Sequence, residues 1–343
     1  MRLTGGMRIE RWNPADDVTL RGCLAVRDAD LAIDDPDGSR MPAPVLCAWL
    51  QHGFTGEPAE AWAARGPGPD GVVGWYRLEL ADLENLDRAS LLIVVHPEHR
   101  RRGIGRALLR HAAGRAAAAG RTVLAGEVRD GTAGDAFAAA TGATAGMAAT
   151  LRRLDLRTLP AGRLAALHAE AAGAAAGYSL VRWPGPSPAQ YRGSLARVLQ
   201  AYGDAPRDAG VEAETWDADR IAKRGDAPLQ AMGLRVYTVA ARHDGSGELA
   251  AMTMVSVAPD DARWGHQGLT AVTRQHRGHR LGLLVKTAML DWLAAAEPGL
   301  ELVETGNAAA NRHMIDVNDA LGFVPSTPDF HTCELEVAAA LVG

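Results

Sequence analysis

Hydrophobic and polar positions along this chain fall into two rhythms, a strand rhythm and a helix rhythm, and the order in which they come occurs twice. In the first half, residues 9–12 read as a short strand and residues 16–27 as a helix, with Val18, Leu20, Cys23, Leu24 and Val26 apolar. Residues 45–50 and 72–80 are strand-like. They are separated in part by the glycine- and proline-rich stretch 65–71, which has the composition of a hairpin connection or loop. Residues 91–95 form an unbroken apolar run, as a strand covered on both faces requires. After a polar break, alanine and leucine dominate 105–119, with arginine to one side, and predict a helix. Residues 122–128 predict a strand, 136–140 a short helix and 149–156 a last strand.

The second half repeats this text. Residues 161–175 keep helical spacing at Leu164, Leu167 and Ala171 and predict a helix linking two domains. Strand 179–183, turn 184–188 and helix 190–202 then open the repeat. Strands at 249–257, 270–272 and 299–305 each lie 177 positions beyond 72–80, 93–95 and 122–128. One offset covering three strands marks an internal duplication. The expected organisation is therefore an N-terminal domain at 7–157, a linker helix at 158–176 and a C-terminal domain at 177–343. Each domain is of the α/β type, a mixed twisted sheet flanked by helices.

The most informative part of the repeat is the passage from strand to helix. Ile93, Val94 and Val95 lead into Arg100, Arg101, Arg102, Gly103, Ile104, Gly105 and Arg106. Thr270, Ala271 and Val272 lead into Arg277, Gly278, His279, Arg280, Leu281, Gly282 and Leu283. A glycine turn entering a helix presents unpaired backbone N–H groups at the positive end of the helix dipole, which suits phosphate oxygens, and arginines add charge around them. The P-loop pattern fails, because neither Gly105 nor Gly282 is followed by Lys and a hydroxyl residue. The dinucleotide pattern also fails, because Leu108 stands where its third glycine belongs and the turn follows a late strand.

Val95, Pro97, Arg100, Gly103 and Gly105 resemble the acyl-CoA signature of the GNAT superfamily of N-acetyltransferases, Gln/Arg-x-x-Gly-x-Gly/Ala. The resemblance covers both halves, and the tandem layout is similar to that of mycothiol synthases. It implies acetyl-CoA or another acyl-CoA as donor, held by the strand and turn residues just named, and a primary amine of a small molecule as acceptor. It also implies direct attack on a thioester that lies between two splayed strands and is polarised by a backbone N–H near Val94 or Ala271. The second copy departs from the signature, with Arg280 where the first glycine belongs and Gly278 two positions earlier. Asn307, Asn311, Met314, Asn318, Leu321, Gly322 and Phe323 resemble the family's last motif. There Asn307 and Asn311 either reach the pantetheine amides or cap a helix. The tyrosine that many members use to protonate the departing sulfur is missing, since its places hold Ala138 and Asn318.

A carboxylate beside the acceptor serves as general base, and Glu127 and Glu304, again 177 apart, are the candidates; each also reads as a surface glutamate at a strand end. Asp204, Trp216, His266 and Gln267 are further candidates for the acceptor cleft. No histidine pair has metal-ligand spacing, so no metal is expected. The net charge of -5 disfavours a generally basic nucleic-acid binder, though aminoacyl-tRNA as donor stays an alternative, as does a non-catalytic acyl-CoA sensor. Three scattered cysteines and the lack of a signal-like or 20-residue apolar stretch predict a soluble cytoplasmic protein.

Overall fold

The computed structural model describes residues 7–13, 16–66 and 71–342. Its elements run β1 (Arg8–Arg11), α1 (Asp17–Asp34), α2 (Ala43–His52), β2 (Ala59–Arg65), β3 (Val72–Glu79), β4 (Arg88–Val95), α3 (Ile104–Ala118), β5 (Val123–Arg129), α4 (Ala133–Ala140) and β6 (Thr144–Asp155). They continue with α5 (Arg163–Ala174), β7 (Tyr178–Pro184), α6 (Ala189–Tyr202), the short α7 (Ala218–Arg220) and α8 (Ala227–Ala231), β8 (Arg235–His243), β9 (Leu249–Ala258) and β10 (Asp261–Val272). The chain closes with α9 (Leu281–Ala296), β11 (Leu302–Ala308), α10 (Arg312–Leu321), β12 (Val324–Glu336) and α11 (Val337–Val342).

These elements make two compact units of discontinuous chain. One comprises Met1–Ala149, Asp208–Glu212 and Thr327–Gly343; the other comprises Thr150–Arg207 and Ala213–Ser326. The expected cut at residues 157/158 does not coincide with this division. The first unit's sheet has the order β1-β2-β3-β4-β5-β12, and the second's β6-β11-β10-β9-β8-β7. Thus the last strand of the chain completes the first sheet, pairing antiparallel with β5 from Phe330↔Arg129 to Glu336↔Val123. Val337 and Ala340 of α11 then join the core that α3 forms with Ile104, Leu108 and Ala112. Their positions in a C-terminal tail carried no local signal for this, because strand pairing across some two hundred residues leaves no mark on periodicity.

The segment expected as a linker is likewise part of a core. Ala171 of α5 is buried with Leu284, Met289 and Leu293 of α9, and Leu164 and Leu167 pack against the same cluster. Residues 45–50, read as a strand, lie in α2 instead. Pro42 as N-cap and Pro44 in the first turn preset a helical start, and Val45, Leu46, Ala48 and Leu50 are buried. A six-residue apolar run does not by itself separate the two readings. The alanine-rich β2 passed unread, as did β8. Stretch 65–71 joins β2 to β3 in an antiparallel hairpin, with residues 67–70 outside the described part.

Candidate active site

The two arginine-rich turns take one backbone path although their glycines stand at different places. In the first, Arg101 and Gly103 have positive φ, 62° and 80°; the matching positions of the second are Gly278 and Arg280, at 87° and 53°. Left-handed backbone costs an L-residue about 1 kcal/mol and glycine little. Each copy therefore has glycine at one left-handed position and arginine at the other, and Arg280 preserves the bend. A Cβ on Gly103 would meet nothing within 4 Å. Gly103→Ala should accordingly lower stability by about 1 kcal/mol through conformation alone, read as a shifted midpoint in chemical denaturation with an unchanged slope.

Beside each turn two parallel strands separate. β4 and β5 pair from Arg88↔Val123 to Ser90↔Ala125 and then part; β10 and β11 pair from Trp264↔Leu302 to His266↔Glu304 and part likewise. The second unit has an additional device. Gln267 opposes Val255 and Thr270 opposes Thr253, so β10 bulges by one residue at the split, whereas β4 keeps an unbroken register against β3 from Ser90 to Val95. A bulge bends its strand and re-aims the backbone beside a site.

The antiparallel ladder fixes which amides face the split. Thr273 donates its N–H to Ala250, and in such a ladder alternate residues bond to the same neighbour. Ala271 is therefore spent on β9, and the N–H groups of Thr270 and Val272 point toward β11, beyond the end of its pairing. In the first unit His96 donates to Val73, so Val94 is spent on β3 while Ile93 and Val95 point to the split. The amides that face the two splits thus belong to the residues flanking Ala271 and Val94, not to those two residues themselves.

A cavity of about 750 Å³ opens at the second turn. Its wall includes Thr270, Ala271 and Val272, then Gly278, Arg280, Leu281, Gly282 and Leu283, and Asn311 with Met314 across from them; Tyr202 and Asp204 border it from the end of α6. His279 and Asn307, expected at this site, stand outside that wall. Asp204 accepts from Arg274 at 2.9 Å and Arg277 at 2.7 Å, and these bonds hold its carboxyl below the usual carboxylate range. Arg280 pairs with Glu170. In the first unit the Phe137 ring comes within 3.1 Å of where Gly105 would carry a Cβ. Counted from the helix caps, the second unit has Asp316 at that place.

The profile of the acetyltransferase (GNAT) domain matches residues 57–141. None of the curated proteins matches the chain significantly. Among solved structures, a tandem GNAT protein from the clavulanic acid biosynthesis pathway is 30% identical, with 96% of this chain and 98% of that one covered and a TM-score of 0.78. The chain belongs to the GNAT superfamily. A GCN5-related N-acetyltransferase from Sphaerobacter thermophilus, 16% identical over 96% of both chains with a TM-score of 0.66, has the same fold. So does a putative acetyltransferase from Pyrococcus horikoshii, 13% identical over 98% of this chain and 91% of that one, with a TM-score of 0.56.

The place of the GNAT tyrosine is filled in an unexpected way. Asn318 is fully buried, accepts from Lys286 Nζ at 2.9 Å and donates to Asn307 Oδ1 at 2.7 Å. Burial pulls Lys286 down to about 7. Asn311 caps α10, accepting from Met314 N at 3.3 Å, and also borders the cavity.

The two glutamates do not occupy matching positions. The first residues of α3 and α9 are 177 apart, but those of β5 and β11, and the caps Thr132 and Asn311, are 179 apart, because two residues are inserted before β11. Glu304 therefore matches Ala125, and Glu127 matches Gly306. Glu304 lies 2.7 Å from Arg153 Nε and outside the cavity wall. Glu127 is open to solvent at its edge yet hemmed by protein, and desolvation raises its pKa. Gln267 turns inward to Thr253 and Met254, and Trp216 stacks with Arg220. Among the described residues no group of three potential ligands could hold a metal, and no helix is long and apolar enough to cross a membrane.

Proposed function

We propose that this GNAT chain is an acyl-CoA-dependent N-acyltransferase acting on a primary amine of a small molecule, and that its second unit works as the catalytic one. The observation that carries the reading is a coincidence in one place: a bulged, splayed strand pair, a left-handed turn into α9 and a cavity that joins them. The N-terminal amides of α9, with Gly278, Arg280 and Gly282, would hold a pyrophosphate. One of the Thr270 and Val272 N–H groups would donate to the carbonyl oxygen as charge builds on it; the two stand about 6.6 Å apart along the strand, so the other is left for a second acceptor on the donor. When bound, the acyl-CoA supplies the thioester carbonyl that the amine attacks, and CoA leaves as the thiol. Since Asn318 is committed to Lys286 and Asn307, the proton for the sulfur falls to a group on the cavity side, among which are Tyr202 and His313.

Calorimetric titration of the full chain with CoA should give one site per chain, because Phe137 covers Gly105 in the first unit. Acetyl-CoA with a panel of small amines should release thiol above background. Binding of CoA with no release for any amine or acyl donor would turn the reading into that of a sensor. Two equal sites would remove the distinction between the units.

A further inference from the structure

Four rings meet at one corner of the second unit, immediately outside the turn that leads into α9. Tyr178 opens β7, His243 ends β8, and His276 and His279 belong to the turn. Tyr178 lies 5.4 Å from His243, 5.6 Å from His276 and 5.4 Å from His279 between ring centroids, and His243 lies 5.1 Å from His276. Three imidazoles so close are a poor choice for mere packing, since each protonation opposes the next. Desolvation, then His243 and His279, hold His276 below the ordinary imidazole value.

At His243 the hydrogen bonding leaves an N–H free of the backbone. His243 Nδ1 accepts from Ser246 N at 3.3 Å, which leaves Nε2 to carry the proton. Tyr178 Oη lies 2.8 Å from His276 Nδ1 and the exposed Gln275 amide 3.3 Å from its Nε2, so either nitrogen of that ring can carry the proton. His279 is exposed and meets Tyr178 only through its ring. Two of the neighbouring carboxylates are paired with arginine, Glu170 with Arg280 and Asp204 with Arg274 and Arg277, while Asp244 takes the Ser179 hydroxyl. Of these, only Asp244 keeps an uncompensated charge, since its partner is a neutral hydroxyl, and it stands beside His243 at the edge of the cluster. The rings also tilt 40° to 89° to one another, so they present N–H edges and not a flat face for a base to stack on.

We propose that His243, His276 and His279 form a phosphate-monoester site that grips the 3′-phosphate of CoA, beside the turn that takes its pyrophosphate. This rests on the acyl-CoA reading of the same cavity. A dianion placed among the imidazoles favours their charged forms, so binding takes up protons and tightens as pH falls.

The test is a calorimetric comparison of CoA with 3′-dephospho-CoA on the full chain, at about pH 6 and about pH 8, either side of the ordinary imidazole pKa of about 6.5. The expected result is that CoA binds about tenfold tighter than 3′-dephospho-CoA at the lower pH, with the gap closing at the higher, since tenfold corresponds to one strong charged contact. His243→Gln and His279→Gln should shrink the gap by weakening CoA alone. Equal affinities at both pH values, or a gap that both variants leave intact, would overturn the phosphate site while leaving CoA as the ligand. If neither compound bound, the acyl-CoA reading itself would fall, and the proposal with it.

Discussion

Gly282→Glu should abolish CoA binding without harming the fold. Gly282 is the second residue of α9, and a Cβ there would find its nearest neighbour, Val272 Cγ2, at an ordinary 3.9 Å. A glutamate in the first helical turn suits the dipole by up to about 1 kcal/mol and has better helix propensity than glycine. The thermal midpoint should therefore stay level or rise. Yet the new carboxylate sits where the pyrophosphate is proposed to bind, and the amides that would hold an anion then face one of the protein's own. An affinity loss of at least about 100-fold, close to 3 kcal/mol, is expected by calorimetry, with thiol release lost in parallel. Gly282→Ala separates bulk from charge and should lose far less. Unchanged CoA affinity in Gly282→Glu would show that the second turn is not the nucleotide site.

Lys286 should give the protein a rising stability through the alkaline range. The unfolded chain keeps this lysine protonated up to about pH 10.4, whereas the buried amine, pulled down to about 7, gives up its proton near neutrality. Between those values the unfolded state binds more protons, so folding becomes more favourable as pH rises, by at most about 1.4 kcal/mol per unit. From about pH 7 to about pH 9 the gain attributable to Lys286 is about 2 kcal/mol. Lys286→Met removes it. The difference in unfolding free energy between wild type and variant, followed across that range, isolates the effect from every other titrating group. The variant's level at one pH is a poorer guide, because relief of a buried charge is offset by leaving Asn318 Oδ1 without its donor, a loss of about 1–3 kcal/mol. A difference that stays flat with pH would mean that the amine keeps its ordinary basicity.

The sequence announced the duplication and the turns because those depend on short-range pattern: apolar runs of strand length, arginines after them and glycine near the bend. Even the departure at Arg280 was visible as a departure, although its meaning required φ angles, since left-handed backbone can carry arginine when the surrounding turn enforces it. The bulge at Gln267–Thr270 was hidden because it depends on what β9 opposes to it. The choice of Thr270 and Val272 over Ala271 has the same origin. Glu127 and Glu304 were matched by arithmetic that two inserted residues between α9 and β11 defeat. Lys286 lay unnoticed in α9, since a lysine amid leucines reads as one polar interruption until its partner Asn318 is found 32 residues on. The strand reading at 45–50 failed where Pro42 and Pro44 were the better guide.

The placement of β12 also bears on how the protein comes off the ribosome. An ordinary string of domains can finish its first member while the next is being made. Here β5 waits for Phe330–Glu336, which emerge some two hundred residues later, and until then its backbone edge is an open template for any passing strand. Most of the first unit is made long before that unit can close, so its exposure time is set by translation of the residues between β5 and β12.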